Sequence, residues 1–445
     1  MKNRSRGIKG DTLKASNMHA TGRWIYILVL LAVMHILLDG RYRIVSLFPT
    51  RVAGFVAIAS AYLAISLLLL SSVPRFLNRR FCLLDIWVRQ RLSPFLKGRP
   101  RRNILIAGTL VVFMIAVGGY LRWLFIKSIP IAPIYADMLP LIQDACETLI
   151  AGNNPYTRSY FMPWEIPLTY WPGLWMPYLI THVLGVDPRW IHLGVVVIIS
   201  LLFAGFLWQA IANKEYPDTS VCIAVLCSIF FLAFSSEFII FANIGHTPPY
   251  WLWLSLLATA VLAKKPWLSA VFLGLVLSGR QPALIYVPIM AIYWLRMLDS
   301  VRKTACLLVL AVVTYIFICG PFILLDPAAF FLKPLRQYAH AADYYFTTAQ
   351  QNLLMDAIGF SYLIRIINDQ WLLQVTNALA MVITWIMAWK RLFTETDVLL
   401  WLSVTGVIFT LTSPIPFHYE YMPLLITMSF ASIAAAIEEN KIQMA

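Results

Sequence analysis

The sequence predicts an all-α, polytopic membrane protein of about 12 transmembrane helices (12–13), and three observations carry that prediction. Of its 445 residues, 60% are hydrophobic and only 13% charged, whereas a soluble domain carries about 25% charged residues. The mean hydropathy is +0.74. Apolar runs of membrane-spanning length recur from Trp24 to Ala436. Together these exclude a soluble enzyme, a disordered chain and a disulfide scaffold.

The net charge of +14 is not spread evenly. Residues 1–102 hold 18 Lys and Arg against 3 acids, so the rest of the chain is close to neutral. Bases flanking the first apolar segments are the positive-inside signature of cytoplasmic loops, not a nucleic-acid footprint. The six cysteines, at 82, 146, 222, 227, 306 and 319, lie mostly inside apolar runs. Their spacing suggests neither a disulfide framework nor a metal site. No cleavage site follows the first apolar run, which is expected to stay as an anchor.

Taken in order, a polar N-terminal tail with Lys2, Arg4, Arg6, Lys9 and Lys14 precedes two spans, Trp24–Leu38 and Val52–Val73. The segment Arg75–Arg102 holds nine bases against Asp85 alone, and is expected to be cytoplasmic. Trp87 and Phe95 equip it to lie on an anionic lipid surface. Ile104–Phe125 then crosses outward. The interval Ile126–Tyr170 is long and acidic, with Asp137, Asp144, Glu147 and Glu165 against Lys127 and Arg158. Apolar runs follow at 171–186, 190–211, 220–241, 248–263, 267–279, 282–298, 304–325, 370–389, 398–412 and 421–437. A second polar interval, 325–370, contains Lys333, Arg336, His340, Asp343 and Arg365.

Thirteen full crossings would put Lys264–Lys265, Arg302–Lys303 and Lys390–Arg391 outside, against the charge rule. Twelve restore all three to the cytoplasm. The run expected to fail is 171–186, which carries Pro172, Gly173, Pro177 and His182. Every polar cluster then falls on the external face. The chain divides into a tail, hairpin and basic loop (1–103), a main membrane unit (104–437) and a short C-terminal tail (438–445).

Five clusters on that face can carry chemistry. Asp137 precedes a helix expected from Met138 and closed by Gly152, before Asn154-Pro155-Tyr156. It is read either as an N-cap or as a general base. Asp144, seven residues on, shares its helix face. Leu168-Thr169-Tyr170-Trp171-Pro172-Gly173 is an aromatic belt or part of a binding site. His246 ends Phe241-Ala242-Asn243-Ile244-Gly245-His246. Arg280, in Ser278-Gly279-Arg280-Gln281-Pro282, either snorkels or serves function, since an Arg near hydrocarbon is costly. His418 lies in Ser413-Pro414-Ile415-Pro416-Phe417-His418-Tyr419-Glu420-Tyr421.

The order and spacing of these clusters resemble membrane glycosyltransferases of the GT-C fold, and within them the polyprenol-phosphate-mannose-dependent α-mannosyltransferases. The likeness rests on Asp137, the Gly-Asn-Asn-Pro-Tyr helix end, Tyr170-Trp171-Pro172, Gly245-His246, Gly279-Arg280-Gln281-Pro282 and Ser413-Pro414 leading to His418. It covers about 104–437, so the first hairpin looks like an addition. His246 stands where the family has Gln, Arg280 where it has Lys, and Tyr-Trp-Pro where it has Tyr-Pro-Pro.

The resemblance implies an inverting transfer of one mannose-like hexose or pentose from a polyprenyl-phosphate donor to a glycolipid or glycan acceptor, on the external face of the plasma (inner) membrane. It makes Asp137 the base, with Asp144 secondary. The donor phosphate would fall to Arg280, with His246, His418, Tyr170, Gln281, Lys333 and Arg336 around it. Membrane lipids are the other expected partners. No cofactor is implied, no Walker loop occurs, and the absence of an Asp-x-Asp pair suggests metal independence. A lipid-linked sugar flippase, a polysaccharide polymerase or ligase, and a non-catalytic scaffold share the composition.

Overall fold

The computed structural model describes residues 22–70, 75–96, 100–133, 136–162, 164–212, 218–334, 336, 358–360, 363, 370–413 and 418–444. The N-terminal tail, His340, Asp343, Arg365, Pro414 and Pro416 lie outside the described residues, as do the side chains of Phe95 and His418.

The described chain is a helical bundle. Its helices are α1 (Arg23–Asp39), α2 (Arg41–Val45), α3 (Arg51–Leu70), α4 (Arg75–Leu96), α5 (Pro100–Ser128) and α6 (Met138–Ile150). After two strands come α7 (Pro172–Trp175), α8 (Leu179–Val183), α9 (Arg189–Ile211), α10 (Thr219–Phe234), α11 (Ser236–Ile244), α12 (Pro248–Leu262) and α13 (Pro266–Gly279). The last are α14 (Tyr286–Leu298), α15 (Val301–Leu325), α16 (Gln370–Arg391), α17 (Glu395–Thr412) and α18 (Met422–Met444). Seven segments among the described residues are long and apolar enough to cross a membrane, and α10, α12 and α13 are shorter apolar helices. The protein is a multi-pass membrane protein.

Three local features depart from the sequence reading. The strands β1 (Ser159–Met162) and β2 (Trp164–Pro167) form an antiparallel hairpin, pairing Ser159 with Pro167 and Met162 with Trp164. The all-α expectation holds for the bundle but not for this interval, whose aromatic residues suit a pleated surface. The basic segment after α3 is not an open loop, because most of it is the helix α4. The apolar run 220–241 is broken at Ser235 into α10 and α11.

The run 171–186 is broken as well, into α7, a 3₁₀ turn Met176–Tyr178 and α8. Pro172 and Pro177 start successive short pieces instead of continuing one helix. Even wholly helical, 172–183 would reach about 18 Å, short of a hydrocarbon core of about 30 Å.

Ion pairs and caps gather the helix ends into two groups. At one end, Glu439 accepts hydrogen bonds from Gly22 N (3.0 Å) and Trp24 N (3.2 Å), satisfying orphan donors at the start of α1. Beside it Asp85 accepts from Trp24 Nε1 at 3.0 Å. Arg23–Asp397 (2.6 Å) and Lys264–Glu395 (2.8 Å) close the same end. At the opposite end Arg41 pairs with Glu237. Arg189 donates to Ile126 O (2.9 Å) and Ile129 O (2.5 Å), tying the start of α9 to the end of α5.

Uniform apolarity does not say which helix is central, but enclosure does. The α18 span is 89% buried and that of α17 78%, whereas α5 and α15 are buried over only 17% and 22% of theirs. The last two helices are therefore the bundle's core, and α5 and α15 present residues such as Phe113 and Phe317 outward. The break at Ser235 also accounts for a buried arginine on α5. Arg122 donates to Leu232 O (2.6 Å) and Ala233 O (3.1 Å), carbonyls freed at the end of α10.

Candidate active site

At the Arg41 end of the bundle, several of the predicted clusters meet. Asp137 occupies the N-cap position of α6, and its carbonyl accepts from Leu141 N at 3.0 Å. Its side chain makes no capping hydrogen bond, so the capping role does not describe this carboxylate. Asp137 is half-buried, and burial raises its pKa above the ordinary carboxylate value, against a smaller lowering by a hydrogen bond from its own backbone. Asp144 is also raised, by burial and the neighbouring Glu147, with Arg158 acting the other way. Gly152, at φ +78°, follows the helix where the sequence reading closed it.

Met138, next to Asp137, carries the link to the second cluster. Its Sδ lies 2.8 Å from His246 Nδ1. The His246 ring, fully enclosed in the turn between α11 and α12, packs on Tyr170 with centroids 3.9 Å apart. Tyr419 approaches the same ring at 6.5 Å. Burial, with Arg280 and His192 adding repulsion, lowers the His246 pKa well below its usual value, so the imidazole is neutral. Its Nε2 has no hydrogen-bond partner among the described residues. The histidine that the resemblance places near the donor phosphate is thus an enclosed, neutral ring with one unused nitrogen.

Arg280 joins α13 to a 3₁₀ turn in extended backbone, φ −151° and ψ 143°. It does not snorkel. Its two terminal nitrogens form a bidentate pair with Glu420, Nη1 to Oε2 at 2.5 Å and Nη2 to Oε1 at 2.6 Å. Only 7% of the Arg280 side chain is exposed, and 21% of Glu420. A cavity of about 30 Å³, lined by both residues, Tyr250 and Tyr286, sits beside them. Glu420 was not among the predicted site residues. Its signal was available, because a buried Arg favours a paired carboxylate and Glu420 is the acid of the Ser413–Tyr421 cluster.

Two side-chain donors hold the backbone of the Tyr170 loop. Gln281 Nε2 donates to Thr169 O (2.8 Å) and Trp253 Nε1 to Gly173 O (2.8 Å). Gly173 is needed for this approach: a Cβ there would lie 2.1 Å from Ser278 Oγ and 2.9 Å from the Ser278 carbonyl carbon. The hydroxyl can rotate away, but the backbone cannot. Gly173→Ala should therefore destabilise the protein by about 1–3 kcal/mol through overpacking, measurable by chemical unfolding in detergent. An unchanged unfolding midpoint would mean the loop moves freely.

Other predicted residues stand apart. Lys333 Nζ donates to Thr157 O at 2.8 Å, beside the turn that follows α6. Arg336 is exposed. Neither is joined to Arg280 by a contact among the described residues, and the structure does not bring them into the Arg280 corner. His418 begins a 3₁₀ turn, His418–Tyr421, that also carries Glu420. No cluster of three His, Cys, Asp or Glu side chains able to hold a metal occurs among the described residues.

No protein-family model, no curated protein and no solved structure matches the chain.

Proposed function

We propose that the protein is a GT-C-type glycosyltransferase that moves a single sugar from a polyprenyl-phosphate donor to a glycolipid or glycan acceptor. The observation that carries this reading is an uncapped carboxylate of raised pKa and a buried arginine at the same end of a membrane bundle, linked through Met138 and His246. Inverting transfer asks for little more. Asp137 takes the proton from the acceptor hydroxyl as its oxygen bonds to the anomeric carbon. The bond from that carbon to the phosphate oxygen breaks, and the electron pair leaves with the polyprenyl phosphate. Arg280 faces the charge that develops there. The neutral His246 keeps an unpartnered Nε2, buried in this structure, which must be uncovered to bond a sugar hydroxyl.

The Arg280–Glu420 pair adds a condition. A pair carrying no net charge attracts an anion weakly, so the donor phosphate must displace Glu420 to gain the guanidinium. Donor binding is then an exchange of one bidentate acceptor for another. The single carboxylate without an Asp-x-Asp partner in the sequence supports a metal-independent transfer.

For topology we count twelve crossings: α1, α3, α5, α9, α10 with α11, and each of α12 to α18. This keeps both chain ends on the basic, cytoplasmic side of the plasma (inner) membrane and the Asp137 end outside. A reporter fused after Ala445 should read as cytoplasmic; an external reading means an odd number of crossings. Activity itself is tested in membranes carrying the protein, supplied with radiolabelled polyprenyl-phosphate hexoses and pentoses. Transfer of one labelled residue to a lipid or glycan fraction is expected. Label that crosses the membrane still attached to its polyprenyl carrier would instead identify a flippase, and a long product chain a polymerase.

A further inference from the structure

A second cavity, of about 490 Å³, opens where the end of α1 meets the end of α10. His35, Asp39 and Arg43 line one side and Phe230, Phe231 and Phe234 the other. It is distinct from the Arg280 corner: α11 separates the two, and its nine residues amount to about 13 Å of helix. The proposed transfer chemistry uses none of these groups.

The charges at this mouth are unusually arranged. Arg41 is taken by Glu237. Arg43, by contrast, is exposed, and its guanidinium has neither ion pair nor hydrogen bond among the described residues. Asp39 is exposed too, and only its Oδ1 is engaged, accepting from Ser235 Oγ (2.9 Å) and Glu237 N (3.2 Å). One free guanidinium and one half-used carboxylate therefore share an opening floored by aromatic rings. His35 stacks on Phe231 with centroids 4.6 Å apart, and its Nδ1 has no hydrogen-bond partner. Ile36 and Phe230, exposed by 66% and 52%, continue the apolar wall outward.

We propose that this crevice binds a zwitterionic phospholipid carrying a primary ammonium, of the phosphatidylethanolamine class. The phosphate meets Arg43, the ammonium meets Asp39 and the phenylalanine faces, and an acyl chain follows Ile36 and Phe230. An anionic head group is repelled by Asp39 as it is attracted by Arg43. A neutral one leaves both charges unpaired at the membrane surface. A phosphodiester with its own ammonium satisfies both, by charge-assisted hydrogen bonds and by cation–π contact. The bound lipid would fill the seam between the N-terminal hairpin and the rest of the bundle.

Native mass spectrometry of the purified full-length protein tests this without any transferase assay. Phosphatidylethanolamine, phosphatidylcholine and phosphatidylglycerol of equal chain length are offered at equal concentration. Phosphatidylethanolamine should be retained above both others, and Arg43→Ala should lower its retention by about tenfold or more, the loss expected for one charged hydrogen-bonding partner. Asp39→Asn should remove the preference over phosphatidylglycerol. Equal retention of the three lipids, or parental retention by Arg43→Ala, overturns the proposal. Because Asp39 also supports the start of α11, Arg43→Ala decides the matter alone if Asp39→Asn does not fold.

Discussion

Asp137→Asn is expected to insert and fold like the parent protein while losing sugar transfer by at least about 10²-fold, the scale of a positioned general base. The stability half of this expectation follows from the raised pKa. A carboxyl raised in the folded state contributes stability that is complete below its unfolded pKa and is lost as pH rises through the folded value. Above the folded value the ionised Asp137 is therefore a burden, and the Asn variant should there unfold at the same temperature or higher. Transfer has the opposite sign. It should fall as pH drops through the raised pKa, placing the acid limb above the usual carboxylate range. Loss of activity together with loss of stability would instead mark Asp137 as a structural residue. Asp144→Asn, two turns along α6, should be milder.

Arg280→Ala should raise the donor KM and lower kcat, with kcat/KM falling about 10²–10³-fold, as on removal of a fixed donor to transition-state charge. Arg280→Lys should keep part of the activity, since a point charge replaces the fork. Glu420→Gln should act in the other direction and lower the donor KM, because the competing acceptor has lost its charge. A purely structural pair makes a different prediction. Arg280→Ala would strand Glu420, and a double Ala variant would then recover stability and transfer together. The account expects the double variant to recover stability alone. Recovery of transfer by the double variant would remove Arg280 from the site.

Much of the bundle was legible because its cause is composition. The apolar runs beginning at Trp24, Val52 and Ile104 became α1, α3 and α5. The prolines at 172 and 177 announced that 171–186 would not run as one helix. The β-hairpin was not legible, since Ser159–Pro167 is too short for alternation to stand out from aromatic clustering. The break at Ser235 was passed over, although Ser235-Ser236-Glu237 interrupts the apolar stretch there. Arg122 passed unnoticed for the same reason: the break frees two of the three carbonyls that accept its protons.

Of the residues the sequence offered for the candidate site, Asp137, Tyr170, His246, Arg280 and Gln281 lie at one end of the bundle. It did not reveal that Met138 bridges Asp137 to His246, or that Glu420 holds Arg280. Both are contacts between segments more than 100 residues apart, which no local pattern encodes. Lys333 was a second-rank candidate by charge, and its partner is the Thr157 carbonyl.

The most direct test of the central claim is a structure of Asp137→Asn with a polyprenyl-phosphate sugar bound. The account predicts the phosphate on Arg280, Glu420 turned away, and the sugar lying between residue 137 and the His246 ring. A lipid-linked sugar seated elsewhere, with the Arg280–Glu420 pair intact, would contradict it.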